Sequence, residues 1–233
     1  GRRRSSADLP RGDALGDVVR PEPDPPAVGV IGGLAADGVH GPGELTLDRL
    51  APLADRPPIV VTGRAHVAAV REQLDGDVRI FAEPSARNSM PAIALAAAHV
   101  ERESPDAVIG SFAADHLIEE EAAFARAVTA ARDAAELGLL VTLGIAPTSP
   151  STGFGYIKAG KPLDVDGAPS ARDVEQFVEK PDEDTARSYV ASGDYLWNAG
   201  MFVAPAALMM QHLQTNEPEL FSGLSEIADA WGT

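Results

Sequence analysis

The sequence predicts an α/β fold built on a mostly parallel, mixed sheet with helices on both faces. Three observations predict it. From about Leu45 onward, short apolar runs alternate with segments of helical period, the rhythm of repeated βαβ units. One of those runs, Ala107-Val108-Ile109-Gly110-Ser111-Phe112, reads as a buried strand, as a sheet covered on both sides requires. The third is size: 233 residues, 45% of them hydrophobic, suffice for one ordinary core.

The elements follow in order. A helix over Thr46–Ala54 precedes a strand at Ile59–Thr62, and a helix over Arg64–Leu74 leads to a strand at Val78–Ala82. The next helix runs from Pro91, a residue suited to a first turn, to Arg102. After the buried strand, Glu119–Glu136 has helical spacing and an acidic first turn that favours the helix dipole; Gly138 closes it before a strand at Leu139–Leu143. Beyond Pro150 the rhythm loosens into Gly153–Lys158 and a polar, hairpin-like stretch to Arg172. A strand at Val174–Val178, a helix over Glu183–Ala191, a short strand at Met201–Val203 and helices over Pro205–Gln214 and Glu217–Ala230 complete the chain. No internal repeat is present.

Residues 1–44 differ from this pattern. Arginines cluster at the front, Pro21-Glu22-Pro23-Asp24-Pro25-Pro26 blocks regular structure, and glycines are scattered over Gly29–Gly43; only Ala27–Ile31 reads as a strand. The division is therefore 1–44, an atypical segment with the character of a disordered or misassigned one, and 45–233, the folded core.

Charge and inventory exclude several classes. A formal net charge of -16 repels a nucleic-acid backbone, so small charged metabolites are the expected ligands. With no cysteine, disulfides, thiolate metal sites and a cysteine nucleophile are all ruled out. The opening arginines lack the apolar stretch of a secretory leader, and the most apolar run, Ala92–Ala98, is too short to span a bilayer. The expectation is a cytoplasmic protein without a membrane partner; oligomeric state is not legible.

Open α/β sheets bind ligands beyond the carboxyl ends of their strands, which directs attention to polar residues placed there. Asp115-His116 follows the buried strand, where a carboxylate can hold a hard divalent cation beside phosphate oxygens or simply cap a turn. Glu83-Pro84-Ser85-Ala86-Arg87-Asn88-Ser89 lies between a strand and a helix. Its amides and Arg87 can meet a nucleotide, or Asn88 or Ser89 can serve as an N-cap. Thr152-Gly153-Phe154-Gly155-Tyr156-Ile157 sets two glycines before an aromatic residue, a close backbone approach next to a flat surface for a sugar. Glu179-Lys180-Pro181 ends another strand with a carboxylate for sugar hydroxyls and an ammonium for a phosphate; a surface ion pair is the plain alternative. Trp197-Asn198-Ala199-Gly200-Met201-Phe202 joins an amide to packed aromatics and reads most simply as a turn at the edge of the core.

Taken in order, these segments resemble the mannose-1-phosphate guanylyltransferases of the sugar-nucleotidyltransferase superfamily. The likeness runs from about Leu45 to the end, through Glu83-Pro84, Arg87-Asn88, Pro91-Ala92-Ile93, Phe112 with Asp115-His116-Leu117-Ile118, and the three later segments just named. It implies a Rossmann-like nucleotide-diphospho-sugar transferase fold, truncated here at its C-terminal end. The implied reaction joins GTP and mannose 1-phosphate into GDP-mannose and pyrophosphate. By the same resemblance Asp115 is the catalytic metal ligand for Mg²⁺, and Glu83, Pro84, Arg87 and Asn88 lie in the nucleotide region. Gly155, Tyr156, Glu179 and Asn198 line the sugar, and Lys180 neutralises its phosphate in a catalytic role. The chain departs from the family at its start. The signature Gly-Gly-x-Gly-x-Arg-Leu-Trp-Pro has no match, Gly32-Gly33 being followed by Leu34-Ala35-Ala36-Asp37. Two alternatives stay open: transfer onto glucose 1-phosphate, and a relative that binds sugar nucleotides without turning them over.

Overall fold

A computed structural model describes residues 27–32, 42–74, 78–85 and 89–231, with the backbone alone for 27–32 and 42–45. An eight-stranded sheet organises them. Strands β1 (Ala27–Gly32), β2 (Ile59–Gly63), β3 (Arg79–Glu83) and β4 (Val108–Ala113) are parallel, in the order β3-β2-β1-β4. The other half is antiparallel. It comprises β5 (Val141–Ile145), β6 (Gly155–Pro162), β7 (Arg172–Glu179) and β8 (Tyr195–Pro205), with β8 joining the halves by pairing β4, β5 and β6.

Strand periodicity of two divides the apolar residues between two cores. Ile59, Val61, Ala107 and Ile109 face one side and pack against helices α3 (Ser89–Glu103), α6 (Ala206–Asn216) and α7 (Pro218–Ala230). Val60, Val108, Phe112, Met201 and Val203 face the other. There they meet residues of α1 (Pro42–Leu50), α2 (Val67–Gln73) and α4 (Glu121–Glu136). Both faces of β2 and β4 are thus sealed, and each fully buried Val or Ile contributes about 1.5–3 kcal/mol. Ala96, Ala97 and Ala98 are wholly buried. The absence of larger side chains there lets α3 lie close to the sheet and to α6 and α7.

Helix α5 (Glu183–Ser192) covers one face of the antiparallel half, where Tyr189 stacks on Tyr195 at 3.8 Å and meets Tyr156 at 5.4 Å. It starts at Asp182, whose Oδ1 accepts from the Thr185 N–H at 2.8 Å; that bond holds the Asp182 carboxyl below its ordinary range. It stops at Gly193, where φ is +73°.

Three expectations change. The boundary between 44 and 45 does not divide the sheet: β1, from the segment set apart, lies between β2 and β4, with Val30 paired to Ile59 and Ser111. The helix expected to reach Ala54 is α1, ending at Leu50, followed by a single tighter turn over Ala51–Leu53, because Pro52 cannot continue an α-helical ladder. The short strand at Met201–Val203 is the eleven-residue β8, which absorbs the segment read as a turn.

His99 of α3 is packed edge-on to Phe81 of β3 and to Trp231, at 5.0 and 4.8 Å, beside Glu103 at 3.3 Å and in contact with Arg79. Burial foremost, aided by Arg79 and opposed by Glu103, holds the imidazole below its ordinary value of 6.5. The unfolded chain therefore binds this proton more tightly. The neutral ring's contribution is full above 6.5 and is lost as pH falls through the folded value. His99→Phe keeps the ring contacts and removes the titration, so the melting temperature should drop less between pH 7 and pH 5 in the variant than in the parent. Equal drops in calorimetric melting curves would reject this account of His99.

Candidate active site

The two halves of the sheet separate along β8. Phe202 pairs with Ser111 of β4 on one edge and Thr142 of β5 on the other, while Trp197 pairs with Tyr156 of β6 and Ile145 of β5. β4 and β6 therefore share an edge of β8, and Asn198 to Met201 lie in the fork between them. In the same stretch β8 bulges. Along β5 the register steps from Thr142 to Gly144, while along β8 it steps from Phe202 to Asn198. Gly200 sits in the bulge at φ +68°, a conformation that favours a residue without Cβ.

Asn198 holds the bulge. Its Oδ1 accepts from the Gly200 N–H at 3.1 Å and from the Thr142 hydroxyl at 2.8 Å, and that hydroxyl also lies 3.1 Å from the Met201 carbonyl oxygen. Beside it, β6 begins at Gly155, paired with Glu179 of β7. A Cβ at Gly155 would stand 2.7 Å from Glu179 Oε2, 3.0 Å from Phe177 Cζ and 3.5 Å from Asn198 Cβ. Gly155, Glu179 and Asn198, far apart in sequence, thus meet around one point, where the space a side chain at Gly155 would need is taken by the Glu179 carboxylate and the Phe177 ring.

Lys180 follows at the corner. Its N–H donates to the Phe154 carbonyl at 3.3 Å, and its φ is +46°, a left-handed conformation that costs a non-glycine residue about 1–2 kcal/mol. Buried Pro181 and the Asp182 cap fix the chain just beyond it. Nζ lies 3.7 Å from Glu179 Oε1, and both side chains are more than half exposed. A pair so exposed contributes little stability, so the ammonium can turn to an arriving phosphate at small cost.

Tyr156 is placed differently from the expectation. It is fully buried, its hydroxyl donates to the Ser151 carbonyl at 2.9 Å, and its ring meets Tyr189. No flat surface is left for a sugar; the residue instead ties down the 151–155 loop. An exposed aromatic whose ring does stand at Gly155 is Phe177, to which sequence reasoning gave no site role. Its signal was register: two residues before Glu179 on one strand, it shares that residue's face.

Asp115 is exposed, just past the carboxyl end of β4; β1 ends level with that strand, Gly32 pairing with Ala113. Thr46 of α1 donates to the Ala114 carbonyl at 3.3 Å and pins this strand end. Neighbouring His116 has a buried Nδ1 with no hydrogen-bond partner among the described residues. No cluster of three or more His, Cys, Asp or Glu forms there or elsewhere among the described residues. One exposed carboxylate at a strand end still suits a magnesium ion, whose other ligands are usually water and substrate phosphate. Glu83 ends β3, partial burial raising its carboxyl above the ordinary range, and exposed Pro84 follows. In the sheet order β2 and β1 separate them from β4, so they stand apart from the Gly155–Glu179–Asn198 group. Arg87 and Asn88 lie outside the described residues.

Comparison with known proteins identifies the family and the fold. The nucleotidyl transferase family matches residues 44–230. The xanthan biosynthesis protein XanB of Xanthomonas campestris pv. campestris (strain B100) is 44% identical over 187 residues, covering 78% of this chain and 39% of the relative. A mannose-1-phosphate guanylyltransferase of Escherichia coli (strain K12) is 40% identical over 193 residues, covering 80% of this chain and 40% of its own. The chain thus spans about two fifths of the length of these curated relatives. Among solved structures, one titled mannose-1-phosphate geranyltransferase, from Thermus thermophilus, superposes with a TM-score of 0.75 at 28% identity. It covers 88% of this chain and 64% of that one. By family match and by architecture, the chain belongs to the nucleotidyl transferase family.

Proposed function

We propose that the chain carries the sugar-binding and metal-binding portion of a mannose-1-phosphate guanylyltransferase, which transfers guanylyl from GTP to mannose 1-phosphate. The observation that carries this reading is the meeting of Gly155, Glu179 and Asn198 at the fork of the sheet. A phosphate oxygen of mannose 1-phosphate attacks the α-phosphorus of GTP in line; the bond to the β-phosphate oxygen breaks, and pyrophosphate leaves as GDP-mannose forms. No covalent protein intermediate is needed, so catalysis rests on alignment and charge neutralisation.

Each residue has a part in that alignment. Glu179 accepts hydrogen bonds from sugar hydroxyls, and the Asn198 amide donates to them. Gly155, without a side chain, lets the Glu179 carboxylate keep its position above the strand. Lys180 neutralises the sugar phosphate. Asp115 would hold Mg²⁺, a divalent charge that offsets the crowded phosphates of the nucleotide. The Glu83-Pro84 strand end, with Arg87 and Asn88, belongs to the nucleotide region and precedes the N-terminus of α3, where backbone amides favour an anion. A cytoplasmic location suits these soluble, phosphorylated substrates; among the described residues no helix is long and apolar enough to cross a membrane.

A second reading has its own observation. Gly32-Gly33 is followed by Leu34-Ala35-Ala36, without the arginine that would grip a triphosphate, which favours a protein that binds GDP-mannose without turnover. Calorimetric titration with GTP and with GDP-mannose, with and without magnesium, alongside a pyrophosphate-release assay, separates the two. Binding of GDP-mannose without release supports the second reading, and failure to bind either nucleotide ends both.

For the transferase, Asp115→Asn should lower magnesium-dependent turnover by about two orders of magnitude, the scale of losing one preorganised electrostatic contact. Asp106→Asn, at an exposed position before β4, should leave it unchanged. Similar rates for the two variants would remove Asp115 from the metal site. Gly155→Ala pushes a methyl group toward the Glu179 carboxylate and the Phe177 ring. GDP-mannose affinity should fall about tenfold, or roughly 1.4 kcal/mol, with little change in melting temperature because both displaced side chains are exposed. An unaltered affinity would show that the sugar does not lie over Gly155.

A further inference from the structure

The Asn198 carboxamide is oriented by the backbone. The Gly200 N–H can only donate, so the side-chain atom facing it is the oxygen, and the Thr142 hydroxyl donates to that same oxygen. Both lone pairs of Oδ1 are thereby used. The NH₂ group has no hydrogen-bond partner among the described residues, so Asn198 offers a ligand donors only, while an ionised Glu179 offers acceptors only. The Glu179 Oε2 and the Asn198 Cβ, which carries the carboxamide, stand 2.7 and 3.5 Å from the position a Gly155 Cβ would take.

A donor-only group and an acceptor-only group side by side fit two neighbouring hydroxyls of a sugar. One hydroxyl gives its proton to Glu179, and the next accepts from Asn198. If the carboxamide turned over, its NH₂ would face the Gly200 N–H, which can only donate, and the oxygen that accepts from Gly200 and Thr142 would be gone. Gly200 alone leaves Oδ1 with one bond. The second comes from Thr142, a residue of β5 seated opposite the bulge and paired in register with Phe202. Its hydroxyl has one proton, and Oδ1 at 2.8 Å is the nearer acceptor, the Met201 carbonyl oxygen lying at 3.1 Å.

We propose that Thr142 is a positioning residue that locks the Asn198 carboxamide with its NH₂ toward the sugar. This inference rests on the reading of Gly155, Glu179 and Asn198 as the sugar site. Thr142 does not touch the sugar itself; it acts through Asn198.

The test uses the full chain and two probes, GDP-mannose and GDP, which differ by the sugar. Thr142→Val keeps the shape and removes the hydroxyl; Thr142→Ser restores it. The valine variant should bind GDP-mannose about tenfold more weakly and GDP as the parent does, and serine should recover the parent value. In ¹⁵N–¹H spectra of the unliganded protein, the Asn198 side-chain amide signals should move in Thr142→Val and return in Thr142→Ser. Should the valine variant not fold, Thr142→Cys replaces it, its thiol being a weak donor, with the same results expected. Parent-like GDP-mannose affinity together with unmoved Asn198 signals overturns the proposal, as does an equal loss of affinity for GDP. If the parent discriminates nothing between GDP and GDP-mannose while the Asn198 signals still depend on Thr142, the lock stands and the sugar reading fails.

Discussion

The site depends on one side-chain oxygen. Asn198 Oδ1 gathers the Gly200 N–H and the Thr142 hydroxyl and so stabilises an irregularity that a sheet would otherwise close. A bulge costs ladder hydrogen bonds, and in a buried strand unmet backbone groups cost about 1–3 kcal/mol each. Here the carboxamide oxygen takes up the Gly200 N–H, and the threonine hydroxyl donates to that same oxygen. The result is a fork in which β8 leaves β4 before it meets β6, and the fork is where the carboxyl end of the parallel half faces the start of the antiparallel half.

That arrangement lets the two halves do different things. The parallel half is sealed on both faces at β2 and β4 and ends in a row of strand termini, with Asp115 at one and Glu83 at another. The antiparallel half has one face packed on α5 through Tyr156, Tyr189 and Tyr195. Its opposite face carries Gly155, Glu179, Phe177 and Asn198. Gly155 and Tyr156 illustrate the division within two residues: both are buried, Gly155 under the exposed Glu179 and Phe177 side chains and Tyr156 against Tyr189. A rigid packed face under an open polar one keeps the carboxylate and the amide at fixed separation without any ligand present.

Much of this was legible in the sequence where one residue type has one physical use. The buried strand ending at Phe112 announced itself by its apolar run, and Asp115 beyond it followed from the general placement of ligands in α/β sheets. Gly155, Glu179 and Asn198 were visible as separate motifs, but their meeting was not, because it is set by pairings between strands distant along the chain. Tyr156 was misjudged for a related reason: exposure of an aromatic residue in a strand depends on which face a helix covers, and α5 had no visible partner in the linear order. The length of β8 was hidden as well. Asn198-Ala199-Gly200 has the composition of a turn, and only a partner strand with a threonine at the right register converts it into a bulge. β1 was legible as a strand at Ala27–Ile31, but the prolines and glycines on either side hid its place inside the sheet.

Charge sets the remaining constraint. The chain carries a formal -16, yet on the proposed reading it must bring together several phosphate groups. Many of the described cations cannot help, being committed in ion pairs elsewhere: Arg79 with Glu103, Arg102 with Asp229, Lys158 with Glu175, and Arg187 with Glu183. Lys180 differs in kind. Its partner Glu179 is itself a sugar-binding group on this reading, so a hydroxyl that engages the carboxylate releases the ammonium toward the phosphate on the same sugar. Binding the sugar and neutralising its phosphate then become a single rearrangement of one exposed pair, held at the corner by a strained backbone that cannot relax without disturbing Pro181 and the cap of α5. The acidic surface has a use in such a design: it disfavours anions everywhere except where a hydroxyl and a phosphate arrive together.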